Sequence, residues 1–102
     1  MLGFSFLKVK GDSMSPIIPN DSYILASHWF VRLFLKEGNK ILIQHSTYGV
    51  IVKTVALVDH HGFIWLKGEN EHSISVEQMG PIGKDKVMGR VLSVIQNNRP
   101  QG

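Results

Sequence analysis

Gly49-Val50-Ile51-Val52-Lys53-Thr54-Val55-Ala56-Leu57-Val58 decides how this chain folds. The run contains no proline and ends at the turn residues Asp59-His60-His61-Gly62, so it reads as one long β-strand. Alternation with period two puts Ile51, Lys53, Val55 and Leu57 on one face, and Val50, Val52, Thr54 and Ala56 on the other. Both faces are apolar, and such a strand is usually covered on both sides. Lys53 is thereby expected to leave water. Burial disfavours the ammonium form and lowers the pKa, which supplies a neutral amine able to accept a proton. The competing arrangement lays the lysine stem along the core while its head snorkels outward.

The neighbouring segments extend the β pattern in both directions. Ile41 to His45 forms a strand after the turn Glu37-Gly38-Asn39-Lys40, and Phe63 to Lys67 returns as a hairpin partner. Phe6 to Lys10 alternates apolar and polar residues until Gly11-Asp12 stops it, and Tyr23 to Ala26 follows a loop containing Pro16, Pro19, Asn20 and Asp21. Val87 to Ile95 is the final strand, with Gly89 a bulge or a point of close approach. Residues 68–86, rich in Gly, Asn, Ser and Pro, read as a long ordered loop. Residues 28–36 fit both periods: a helix aligns His28, Arg32 and Lys36, while a strand alternates them with Trp29, Val31, Leu33 and Leu35. An extended or irregular segment is expected there. The sum is an all-β, mainly β, single compact domain over residues 1–96, with roughly six or seven strands and a flexible C-terminal tail at residues 97–102.

Composition narrows the function classes. The 102 residues hold one modest core, and 43% hydrophobic with 19% charged residues is an ordinary globular balance. Without cysteine there is no disulfide, thiolate zinc site or cysteine nucleophile. The net charge of +3 is spread along the chain without a dense Lys/Arg cluster, so no direct nucleic-acid binding is expected. The apolar tract from Trp29 to Leu35 is far below the ~20 residues of a membrane span and contains Arg32. No signal peptide is recognisable at the start, which makes a soluble protein, cytoplasmic or membrane-peripheral, the expectation. His60 and His61 are adjacent, and His28, His45 and His72 lack a ligand spacing, so neither a metal nor a cofactor is implied.

Nucleophilic chemistry enters with Gly11-Asp12-Ser13-Met14-Ser15-Pro16. A serine hydroxyl attacks a carbonyl only with a neighbouring base, and a lysine amine held neutral by burial is such a base. Ser13 and Lys53 are therefore the candidate pair, with the Ser13 amide positioned to donate to a developing oxyanion. Met14 and Pro16 support the turn. For Ser13 alone, a turn serine bonded to local backbone is the ordinary alternative.

The stretch Val9 to Asp21 resembles the nucleophile box of the serine peptidases that include type I signal peptidases, the self-cleaving LexA and UmuD proteins and the maturation proteases of nickel superoxide dismutase. Val50 to Val55 resembles their general-base box. Gly68-Glu69-Asn70-Glu71-His72-Ser73, Gly80-Pro81 and Val87-Met88-Gly89-Arg90-Val91 resemble their third box. The similarity spans residues 9–95 in order. It implies a LexA/signal-peptidase-like fold of coiled antiparallel sheets, with Ser13 as nucleophile, Lys53 as general base and Ser73 as the hydroxyl that orients the lysine amine. Gly11 falls where some members carry a second oxyanion-hole hydroxyl, Thr54 replaces an arginine, Glu69 an aspartate, and Ser75-Val76-Glu77 an Asp-Ser-Arg run.

The resemblance further implies a Ser-Lys endopeptidase that takes an extended peptide or protein, with small residues before the cleaved bond. Only twelve residues precede Ser13, leaving no room for a membrane anchor or self-cleavage segment, so a stand-alone processing protease acting in trans is expected. A catalytically silent or truncated LexA/UmuD-like module for protein binding or regulation is the alternative. Peripheral membrane contact through Trp29–Leu35 is a further expectation, set against core packing of those residues.

Overall fold

The sheet that buries Lys53 is antiparallel in every pairing and seven strands wide. It belongs to a computed structural model that describes residues 3–11, 13–29, 35–70 and 73–96. The strands are β1 (Phe4–Lys8), β2 (Tyr23–Ser27), β3 (Lys40–His45), β4 (Gly49–Val58), β5 (Ile64–Lys67), β6 (Pro81–Ile82) and β7 (Val87–Ile95), in spatial order β1-β2-β7-β3-β4-β5-β6. A single helical turn, α1 (Val76–Met79), precedes β6, and a 3-10 turn, Lys84–Lys86, precedes β7. The fold is a mainly β single domain, a curled sheet whose opposite faces feed two apolar clusters.

Those clusters explain why β4 is apolar on both sides. Ile51, Val55 and Val58 join Ile41, Ile43, Ile64, Leu66, Met79, Ile82 and Val87 in one cluster. Val52 joins Met14, Ile18, Ile24 and Leu42 in the other. Strict alternation fails once. The β4–β5 register shifts between Val55 and Leu57, and the extra residue turns Leu57 outward to 45% exposure while Val58 packs inward.

The other departures from the sequence reading are local. β1 begins at Phe4 instead of Phe6 because Phe4 and Ser5 already pair with Ser27 and Ala26, although Val9 still bonds Ser22 beyond the strand end. The segment 68–86 is not all loop. Ser75 caps α1 by accepting from the Gln78 amide at 3.2 Å, a Ser-x-x-Gln start signal, and Pro81–Ile82 adds a short edge to β5. At Gly89 the expected bulge is present: Leu42 pairs with Gly89 and Ile43 with Val87, skipping Met88. A Cβ at Gly89 would sit 3.0 Å from the Ser27 carbonyl. Residues 30–34 of the ambiguous segment, and the tail at 97–102, lie outside the described residues. Among the described residues no helix is long and apolar enough to cross a membrane.

Candidate active site

Ser13 rides on a loop closed at its neck. The Val9 amide donates to the Ser22 carbonyl at 2.7 Å and the Asp21 amide to the Val9 carbonyl at 2.8 Å, so residues 10–20 form a closed excursion between β1 and β2. Gly11 has φ 98°, a conformation that favours glycine, and its amide donates to Asn20 Oδ1 at 2.8 Å. Lys10 Nζ reaches Asp21 Oδ1 at 2.8 Å and Lys8 Nζ reaches it at 3.9 Å. The hydrogen bond to Lys10 holds the Asp21 carboxyl below its usual value and the Lys10 ammonium above its own. Met14, 2% exposed, drives the loop into the second cluster, and Ile18 donates back to the Met14 carbonyl at 2.8 Å. Pro16 follows in a cis peptide with Ser15, and Asp12 lies outside the described residues.

Lys53 approaches from β4, where it pairs with Ile41 of β3 and is only 4% exposed. Burial lowers its pKa, with no charge among the described residues contributing to the shift. A cavity of about 210 Å³ is lined by Ser13, Tyr48, Ile51, Lys53, Ser73, Ile74 and Met79. The thirty-nine intervening residues thus fold so that the serine and the lysine share one small space.

The chain after β5 clasps the serine loop. The Ser13 carbonyl accepts from the Glu69 amide at 2.7 Å and from Ser73 Oγ at 2.7 Å, while Asn70 Nδ2 donates to the Ser15 carbonyl at 3.2 Å. Gly68 permits the approach. A Cβ there would lie 2.0 Å from Ser73 Oγ and 2.7 Å from the Ser13 carbonyl oxygen. Ser73 is therefore in the cavity beside Lys53, its proton committed to the Ser13 backbone or, at 3.4 Å, to Asn70 Oδ1. Its hydroxyl oxygen keeps lone pairs that can accept from an amine.

Thr54 and Glu69, two positions where the chain departs from the peptidase pattern, meet each other: Thr54 Oγ1 donates to Glu69 Oε2. Glu69 consequently ties the strand bearing Lys53 through its side chain and the loop bearing Ser13 through its amide. Sequence reasoning had treated the two residues only as separate replacements. It also missed Tyr48, Ile74 and Met79, which carry no chemical signature and reach the cavity only through the β3–β4 turn, the segment before α1 and α1 itself.

Ser13 also lines a second cleft, of about 340 Å³, together with Leu7–Lys10, Met14, Ile24, Leu42 and Val50–Val52. Among the described residues its β4 wall is an unpaired strand edge. β5 pairs with β4 only from Thr54 to Val58, whereas β3 pairs with Gly49–Thr54. The Val55 amide and carbonyl face the β3 side, bonding Asn39 and Gly38, so alternation turns the Val50 and Val52 backbone groups toward the cleft. No family model matches this chain, and no curated protein matches it in sequence.

Proposed function

We propose that this protein is a serine endopeptidase using a Ser13-Lys53 dyad on an extended polypeptide supplied in trans. The observation that carries the proposal is the shared cavity: Lys53 is buried, with no counter-charge among the described residues, and opens onto the same space as Ser13. A lysine placed only for stability gains nothing from such burial, whereas a lysine base requires it.

The neutral Lys53 amine takes the Ser13 proton as Oγ bonds to the substrate carbonyl carbon, and the carbonyl electron pair moves to oxygen. The Ser13 amide is the donor proposed for that oxyanion, because a nucleophile on a tight turn brings its own N–H toward it. Collapse breaks the C–N bond, and the leaving amine takes the proton from the Lys53 ammonium. Water, deprotonated by Lys53, then attacks the ester, and Ser13 leaves with that proton. Ser73 is proposed to accept from the amine and fix its direction, since its own proton already serves the Ser13 carbonyl.

The free β4 edge supports an extended substrate, whose backbone would pair with Val50 and Val52 as an added strand.

The test is incubation with a β-lactam or lipopeptide-type active-site inhibitor followed by intact-mass analysis of wild type, Ser13→Ala and Lys53→Ala. A stoichiometric adduct lost in both variants is expected. Absence of any Ser13-dependent adduct refutes the enzyme, and full reactivity of Lys53→Ala refutes the dyad.

A further inference from the structure

The cavity beside the dyad is larger than a methyl group needs. Its volume is about 210 Å³. An apolar cavity of about 150 Å³ accommodates benzene. Apart from Ser13, Lys53 and Ser73, its described lining is Tyr48, Ile51, Ile74 and Met79, four largely apolar side chains. An alanine side chain placed there would leave most of the space empty and forgo its contacts.

Alternation identifies which substrate residue meets this space. A peptide strand on the β4 edge sends successive side chains to opposite faces, one shared with Ile51 and Lys53 and the other with Val50 and Val52. The cavity lies on the Ile51 and Lys53 face and touches Ser13 itself. The side chain closest to it is that of the residue whose carbonyl Ser13 attacks.

We infer that the substrate carries a leucine-, methionine- or phenylalanine-sized apolar side chain at the residue whose carbonyl is attacked, seated among Tyr48, Ile51, Ile74 and Met79. The resemblance to signal peptidases implies small residues at this position; the lining of this cavity points to larger ones. The inference rests on the peptidase reading above, and its test separates the two.

Tripeptide boronic acids ending in alanine, leucine or phenylalanine analogues place that side chain unambiguously. Boron stands where the attacked carbonyl carbon would be: Ser13 Oγ donates a lone pair to it, the B–O bond forms, and the serine proton passes to Lys53. Leucine or phenylalanine probes are expected to bind at least about ten-fold tighter than alanine, since each buried methylene contributes about a four-fold gain. Ile74→Phe, which fills the cavity, is expected to shift preference toward alanine. Tyr48→Ala, at a half-exposed rim position that folding tolerates, is expected to shift it from leucine toward phenylalanine. Alanine binding as tightly as leucine in the wild type overturns the inference while leaving the peptidase intact. Probes that bind Ser13→Ala as well as wild type, or bind neither, overturn the peptidase reading and the inference with it.

Discussion

Replacing Gly68 with alanine tests the clasp that fixes Ser13 against the third segment of the site. The added Cβ would stand 2.0 Å from Ser73 Oγ, 2.3 Å from Ser73 Cβ and 2.7 Å from the Ser13 carbonyl oxygen, where contacts under 3.0 Å do not persist. Rotating the Ser73 side chain cannot relieve the contact to its Cβ. Ser73 must therefore retreat by close to an ångström, which carries its hydroxyl beyond bonding range of the Ser13 carbonyl, now 2.7 Å away. Overpacking of this kind costs about 1–3 kcal/mol, and the lost hydrogen bond about 0.5–1.5 kcal/mol. Together they amount to about 2–4 kcal/mol, a fall in Tm of about 10–25 °C for a domain of this size. Thermal and urea unfolding of Gly68→Ala, Ser73→Gly and the double variant measure it. Ser73→Gly removes the two nearest atoms, so the alanine should cost at least about 1 kcal/mol less in that background. Gly68→Ala unfolding within about 0.5 kcal/mol of wild type, or strictly additive costs, would refute the clasp.

Lys53→Met should raise stability at neutral pH. Burial lowers the folded-state pKa from 10.5, so the unfolded chain binds more protons between the two values and wild-type stability climbs with pH through that window. The advantage of the methionine variant should shrink as pH nears 10.5 in urea titrations, and a pH-independent difference would contradict a depressed pKa. For the same reason, the rate of Ser13 acylation should rise with pH with a midpoint below 10.5, a profile that stopped-flow inhibitor labelling reads directly. Thr54→Val keeps the shape but strips the donor from Glu69 Oε2 at a buried position, and should cost about 1.5–3 kcal/mol in denaturant unfolding. Thr54→Ser should restore most of it.

What was legible from sequence follows from how each element is determined. β4 announced itself because a strand covered on both faces needs apolar residues at nearly every position, and only Lys53 and Thr54 interrupt its apolar run. β3 and β5 followed from short turns that force their neighbours to pair. The bulge at Ala56 was invisible, because Ala56, Leu57 and Val58 are all apolar and alternation cannot show which of them skips a place. Pro81–Ile82 was too short to carry a period, and the capping signal at Ser75 and Gln78 was hidden within a polar segment that reads as loop. Ser13 and Lys53 were legible as candidates because the proposed roles of nucleophile and base need specific residue types, and the fold places both on one cavity. Tyr48, Ile74 and Met79 need only to be apolar and near, and nearness is a property of the curled sheet.

Thr54 and Glu69 show why pattern departures are better read in pairs. Considered one at a time, a threonine for an arginine and a glutamate for an aspartate each remove something from the peptidase pattern. In the folded chain the glutamate carboxylate reaches the threonine hydroxyl while its amide holds the Ser13 carbonyl. One residue thereby fixes the strand bearing Lys53 relative to the loop bearing Ser13. Reacting groups must be held within about half an ångström of their productive geometry, so for the proposed reaction that linkage is a positioning device. Its removal by Glu69→Ala should therefore slow Ser13 acylation at every pH, leaving the midpoint set by Lys53 burial in place. A shifted midpoint with an unchanged plateau would mean that Glu69 acts on the lysine charge and not on the geometry.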